Sequence, residues 1–346
     1  MSEFINPLSY DPQDWYSIFC RLDHDNDGLI PVGVLRVAVM ENSSLLGLQK
    51  HEAEILLRDV DTNMDNYVDF SEFSAMMAKA KSLYIKRLTI YAARSVLAKS
   101  QQSSVVRYLS QYNCFPPPLF MLLISITQIA VYLYYALDSK VGISTVGPVP
   151  VSSPLILDPN HKEQVWRFLT YMFIHIGYTH ILSNVAVQIL LGIPLELVHK
   201  LWRIAGVYLL GVITGSLLVT AIDPTVYLGG ASGGVYALLS AHLSNVIINW
   251  DEMEFNWIRA IIIMVLVTVD FGSALYQRYF VAAVSRVSYV SHIGGFIGGL
   301  LLGIVLLRNL KLRKWEVYAW WVCLVAYVLL ISVCTIIIFA PGLYSK

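Results

Sequence analysis

The chain has 346 residues, 24 basic and 24 acidic side chains, no formal net charge, 56% apolar residues and 14% charged ones. Soluble domains carry about 25% charged residues, and a mean hydropathy of +0.60 points the same way, so a disordered chain, a coiled coil, a collagen-like fibre and nucleic-acid binding driven by net positive charge are excluded. Cys20, Cys114, Cys323 and Cys334 lie far apart with no CxxC, which argues against a disulfide framework or a zinc knuckle. The composition is that of an all-α, polytopic membrane protein. The first fourteen residues hold no apolar run, so no cleaved signal peptide is expected and the N-terminus is expected in the cytosol.

Residues 1–72 hold fourteen acids against four bases, a net charge of −10. Two loops in this acidic head resemble EF-hands, whose ligands fall at positions 1, 3, 5, 7, 9 and 12. The second runs from residue 61 to residue 72 and offers Asp61, Asn63, Asp65, the Tyr67 carbonyl, Asp69 and Glu72. Its sixth position is Asn66 rather than glycine, and asparagine tolerates the left-handed backbone required there. The first begins Asp23-His24-Asp25-Asn26-Asp27-Gly28, but its ninth position is Pro31 and its twelfth Val34. Without the bidentate carboxylate, Asp23, Asp25 and Asp27 are expected to bind calcium weakly or not at all, and the first loop to act as a structural partner. The expected cofactor is Ca²⁺ at the second loop.

Residues 73–136 contain no acid and seven bases: Lys79, Lys81, Lys86, Arg87, Arg94, Lys99 and Arg107. This connector reads either as the positive flank of a first membrane span or as a basic helix on anionic lipid. Phe115-Pro116-Pro117-Pro118 then stops any helix. Seven apolar runs of about the length a bilayer needs follow, at residues 119–137, 178–198, 205–222, 232–248, 258–276, 289–307 and 318–339. With the N-terminus inside, the inner flanks hold fourteen Lys and Arg and the outer flanks six, which predicts N-in, C-out. Ser232 and His292 then both lie near the outer face.

Polar residues within spans face protein or water rather than lipid. Three clusters stand out. In Gly229-Gly230-Ala231-Ser232-Gly233-Gly234-Val235-Tyr236, a serine opens a helix among small residues; alone this motif reads equally as helix packing. Ser291-His292-Ile293-Gly294-Gly295 continues to Gly299 and Gly303, one smooth helix face, and Gly233, Ala237 and Ala241 form a matching face on the fourth run. Two such faces bring backbones close and set Ser232 beside His292, a nucleophile with its base. Third, His180 and Asn184 share a face at spacing i, i+4. They lack the companions of a metal site and fit donation to a developing oxyanion.

Trp166-Arg167, His180 with Asn184, Gly230-Ala231-Ser232-Gly233 and His292 with its glycine ladder together resemble the rhomboid intramembrane serine proteases, in that family's order. The resemblance implies Ser232 as nucleophile and His292 as general base of a dyad without an aspartate. It implies an oxyanion hole of His180, Asn184 and the Ser232 N–H, with Tyr236, Gly230 and Gly233 supporting the site. It also implies structural roles for Trp166-Arg167 and Glu196, and no cofactor for catalysis. An EF-hand pair ahead of such a core resembles the animal rhomboid-related proteins of the secretory pathway and plasma membrane. The implied partners are the bilayer and single-span membrane proteins, growth-factor precursors among them, cut near the outer end of their helix; no nucleic-acid partner is expected. The competing reading is a calcium-sensing scaffold or quality-control protein that binds membrane helices without cutting them. The expected division is an EF-hand pair at 1–78, a basic connector at 79–118, a six-helix core at 119–310 and a seventh helix with tail at 311–346.

Overall fold

A computed structural model describes residues 12–44, 46, 48–97, 118–145, 147–279, 289–307 and 313–340, with only the backbone of residues 12, 13, 274, 275 and 277–279. The second half of the expected connector and the flank charges Lys99, Arg107, Arg286, Arg308, Lys311 and Lys346 lie outside these residues. The described residues form twelve α-helices, one 3-10 turn and a two-stranded sheet, and the chain divides into two compact units.

The first unit contains α1 (Pro12–Leu22), α2 (Val32–Glu41), α3 (Lys50–Arg58) and most of α4 (Phe70–Val96). Strands β1 (Ile30–Pro31) and β2 (Tyr67–Val68) pair antiparallel, with Ile30 opposite Val68. Both side chains are fully buried, among Phe19, Leu35, Leu56, Phe73 and Met77. Burying one such aliphatic side chain contributes about 1.5–3 kcal/mol, so the two acidic loops are locked together by their own ladder. Helix α4 runs without a break across the expected boundary at residue 78. Residues 79–96 therefore continue the last helix of the head, because nothing between Phe70 and Val96 is a glycine or proline.

The second unit holds the apolar helices: α5 (Leu119–Asp138), α6 (Arg167–Thr170), α7 (Tyr178–His199), α8 (Leu201–Ile222), α9 (Ser232–Ile248), α10 (Asn256–Tyr279), α11 (Tyr289–Leu306) and α12 (Lys314–Phe339). Six are long and apolar enough to cross a membrane. The fourth of the expected seven, α9, has 17 residues, about 25 Å at 1.5 Å per residue. It is also the most enclosed, held between α7, α8 and α11.

Its packing follows from small side chains. A Cβ on Gly295 would run into the Gly233 carbonyl, one on Gly299 into the Ala237 backbone, and one on Gly303 into Ser244 and Ala241. The two faces read from the spacing thus meet residue for residue. The adjacent face of α11 is equally tight: Gly294 lies on the Gly215 backbone and Gly298 on Thr214. In lipid, apolar burial does not drive helices together, and close van der Waals contact through small residues does.

Hydrogen bonds add to this. Ser125 and Gln128 on α5, Gln188 on α7 and Tyr208 on α8 form a closed buried network at 2.7–3.0 Å. Glu196 on α7 accepts the N–H groups of Phe120 and Met121 at 2.9 and 3.0 Å, placing a carboxylate on the uncapped N-terminus of α5. Helix α12 joins the bundle through Tyr327, 3.3 Å from Thr214. Helix α10 is the exception, with only 6% of Asn256–Ser273 buried.

Candidate active site

The segment between α5 and α7 builds one wall of the site. Arg167 is buried and donates to the carbonyls of Ser153 and Ile156 at 2.8 and 2.6 Å and to the Gln164 amide oxygen at 2.7 Å, while the Trp166 indole donates to Pro154. These bonds fold the segment back on itself, and a reciprocal Leu157–Leu228 backbone pair at 3.1 Å ties it to the residues before Ser232. Gly230 adopts φ +132°, and a Cβ there would lie 2.8 Å from the His180 ring. A side chain at this position would displace the histidine.

Ser232 is the first residue of α9. The N–H of Gly230 is taken by the Tyr171 carbonyl at 3.1 Å and that of Ala231 by His175 Nε2 at 3.3 Å; Gly234 and Val235 donate to the Ala231 carbonyl. Among the described residues this leaves the N–H groups of Ser232 and Gly233 without a protein acceptor, at the positive end of the helix dipole. The Ser232 hydroxyl and His180 Nε2 lie 3.8 and 3.0 Å from the same point, the place a Gly230 Cβ would take. Asn184 is buried and donates one amide hydrogen to the His180 carbonyl at 2.9 Å, keeping its second N–H. His175 packs edge-on against His180 with ring centroids 5.2 Å apart.

His292 lies on α11 beside the Gly295–Gly233 contact. Tyr236, one turn after Ser232, stacks on its ring at 4.4 Å and 13°. Ser232 Oγ makes no hydrogen bond among the described residues, so the expected Ser232–His292 bond is not formed in this structure; catalytic hydrogen bonds are often long until substrate arrives. The sequence reading placed Ser232 and Tyr236 with His292 but no acidic partner. Asp270, on α10, accepts His292 Nδ1 at 3.0 Å and the Tyr236 hydroxyl at 2.5 Å. One signal pointed to it: a carboxylate inside an apolar run is a functional candidate by default.

A rhomboid domain is recognised over residues 162–309 and an EF-hand domain pair over residues 12–78. The chain is 36% identical to Inactive rhomboid-related protein 2 of Caenorhabditis elegans over 95% of this chain and 94% of that protein. The chain belongs to the rhomboid family. It is also 39% identical to Rhomboid-related protein 1 of C. elegans, over 82% of each, and 32% identical to human Rhomboid-related protein 3, over 91% of this chain and 85% of that one.

The EF-hand pair points to calcium; the second loop carries oxygen donors at every ligand position, and the first lacks side-chain donors at its ninth and twelfth. Asn26 and Gly28 in the first loop, and Met64 and Asn66 in the second, take positive φ of 58–84°. Asn66 therefore does adopt the left-handed backbone where glycine is usual. In the first loop the carboxylates of Asp23, Asp25 and Asp27 lie within 4.8 Å of one another, with Asp23 accepting the Asp27 and Gly28 N–H groups. In the second, Asp61 accepts the Asp65 and Asn66 N–H groups and Asp65 that of Tyr67, while the Asp69 carboxylate accepts the Glu72 N–H. Glu72 takes the Thr62 hydroxyl and N–H at 2.6 and 2.9 Å. These bonds, the Thr62 hydroxyl foremost, hold the Glu72 carboxyl below the usual glutamate range. Its contribution to folding is therefore complete above that range and is lost as pH falls through the lowered value.

Proposed function

We propose that this rhomboid-family chain is an active intramembrane serine endopeptidase. The observation that carries the reading is Ser232 at the N-terminus of α9, with two free N–H groups beside its hydroxyl and His292 held across the glycine face by the Tyr236 ring. Ser232 Oγ attacks a substrate carbonyl as His292 Nε2 takes its proton. The N–H groups of Ser232 and Gly233, with His180 and the second N–H of Asn184, face the oxyanion. The proton passes to the leaving amine as the C–N bond breaks, and water repeats the sequence on the ester.

A short α9 sets Ser232 below one face of the apolar layer, where a polar depression can admit water. With the N-terminus cytosolic and the C-terminus outside, that face is lumenal or extracellular. The substrates are single-span proteins of the secretory pathway or plasma membrane, growth-factor precursors among them, cut near the outer end of a helix that must unwind because its amides are hydrogen-bonded. Calcium binds the second loop and acts as a regulator, not in the chemistry.

Two observations favour a non-cleaving reading: the Ser232 hydroxyl is unengaged, and the C. elegans relative is named inactive. One experiment separates the readings. Purified full-length chain in liposomes is given a quenched single-span peptide reporter, beside Ser232→Ala and His292→Ala. Cleavage by the wild type that both variants abolish supports the protease. Equal turnover by Ser232→Ala, or none by a folded wild type, sinks it.

A further inference from the structure

His292 is gripped on two sides. The Tyr236 ring fixes the plane of the imidazole, and Asp270 fixes its rotation within that plane by accepting Nδ1 at 3.0 Å. Asp270 is itself braced by the Tyr236 hydroxyl, so Tyr236, His292 and Asp270 form a closed triangle across α9, α11 and α10. A carboxylate accepts only, so a histidine nitrogen bonded to it carries the hydrogen, and the other nitrogen is left as the acceptor.

Resting on the proposed protease reading, we propose that Asp270 is a positioning residue that holds His292 with its proton on Nδ1 and Nε2 free to take the Ser232 proton. The site then works as a serine–histidine–aspartate set whose third member comes from the least buried helix of the bundle. An ionisable side chain in an apolar span is costly and is kept where it has a partner. Here the partners are the base itself and the ring that packs on it. Among the described residues, the titratable groups that touch the His292 ring are Asp270 and Tyr236. Asp270 is the only carboxylate among them. The Asp270 side chain is 46% exposed, so its effect is smaller than that of a fully buried triad aspartate, whose conversion to asparagine lowers turnover by about 10⁴-fold.

The test uses full-length protein in liposomes, the quenched single-span peptide, and a fluorophosphonate that labels an activated serine without needing a substrate. Asp270→Asn is expected to lower kcat and the labelling rate by about 10²-fold with KM little changed. Asp270→Glu should restore most of the rate. Tyr236→Phe, which keeps the ring, should cost less than Asp270→Asn. Wild-type turnover and labelling in Asp270→Asn would overturn the role, and a gain in activity would mean that Asp270 latches α10 instead. If Asp270→Asn does not fold, Asp270→Glu decides. A folded Glu variant within about tenfold of wild type with KM little changed supports the role, and one as inactive as Ser232→Ala removes it. A wild type that is neither labelled nor active fails the protease reading and carries this role down with it; labelling of wild type and Asp270→Asn at equal rates fails only the role.

Discussion

His175 and His180 are five residues apart and their rings touch, yet they are set to different tasks. His175 spends Nε2 on the Ala231 N–H and so shapes the turn that presents Ser232. His180 lies against Gly230 with its Nε2 on the side of the Ser232 hydroxyl. Loss of one oxyanion donor costs about 10²–10³-fold in rate. His180→Ala should fall in that range, Asn184→Ala below it because other donors remain, and His175→Ala should lose less turnover than His180→Ala. Matched initial rates would reveal the opposite order. In the head, Glu72→Gln removes the charge at position twelve while keeping its shape. Calcium affinity measured by calorimetry on the isolated head should fall strongly, with Asp23 changes altering it little. No heat with micromolar-to-millimolar calcium, or loss through Asp23 but not Glu72, would overturn the assignment of the metal to the second loop.

At the scale of elements, the glycine periodicity was legible in full. A glycine every four residues on α11 and small residues at the same spacing on α9 define two smooth stripes, and stripes at matching spacing can lie along one another in close backbone contact. Gly299→Leu drives a side chain into the Ala237 backbone, where neither helix has room to move. Overpacking of this kind costs about 1–3 kcal/mol or more. The melting temperature in nanodiscs should fall, with turnover falling as Ser232 and His292 part; an unchanged melting curve would mean the contact is looser than described. Asp270 was not legible in the same way. It stands 22 residues before His292, on a helix whose exposed sides carry no small-residue stripe to fix its register. Only the folded chain brings it to the imidazole. The boundary at residue 79 rests on charge alone: the sign changes there, which marks a change of surface, while the helix itself continues to Val96.

For the whole molecule, the division into two units sets a practical cut. Val96 belongs to the apolar core and its carbonyl accepts the buried Asn245 amide at 2.5 Å, so a truncation should end at Tyr91 rather than inside residues 92–97. The resulting chain, starting at Ala92, is expected to cleave the peptide reporter, because the proposed machinery and the wall that supports it lie wholly between Ser153 and Gly303. A folded but inactive truncation would make the head part of the catalytic architecture. The buried network of Ser125, Gln128, Gln188 and Tyr208 has a consequence for synthesis. Gln128 leaves the ribosome 60 residues before Gln188 and 80 before Tyr208. At about 5–20 residues per second Gln188 arrives roughly 3–12 s later and Tyr208 roughly 4–16 s later. During that interval α5 carries an unsatisfied amide that hydrocarbon does not solvate. The first helix must therefore linger in a protein-lined or wet insertion site until the third has emerged, and the three helices leave it for the lipid together.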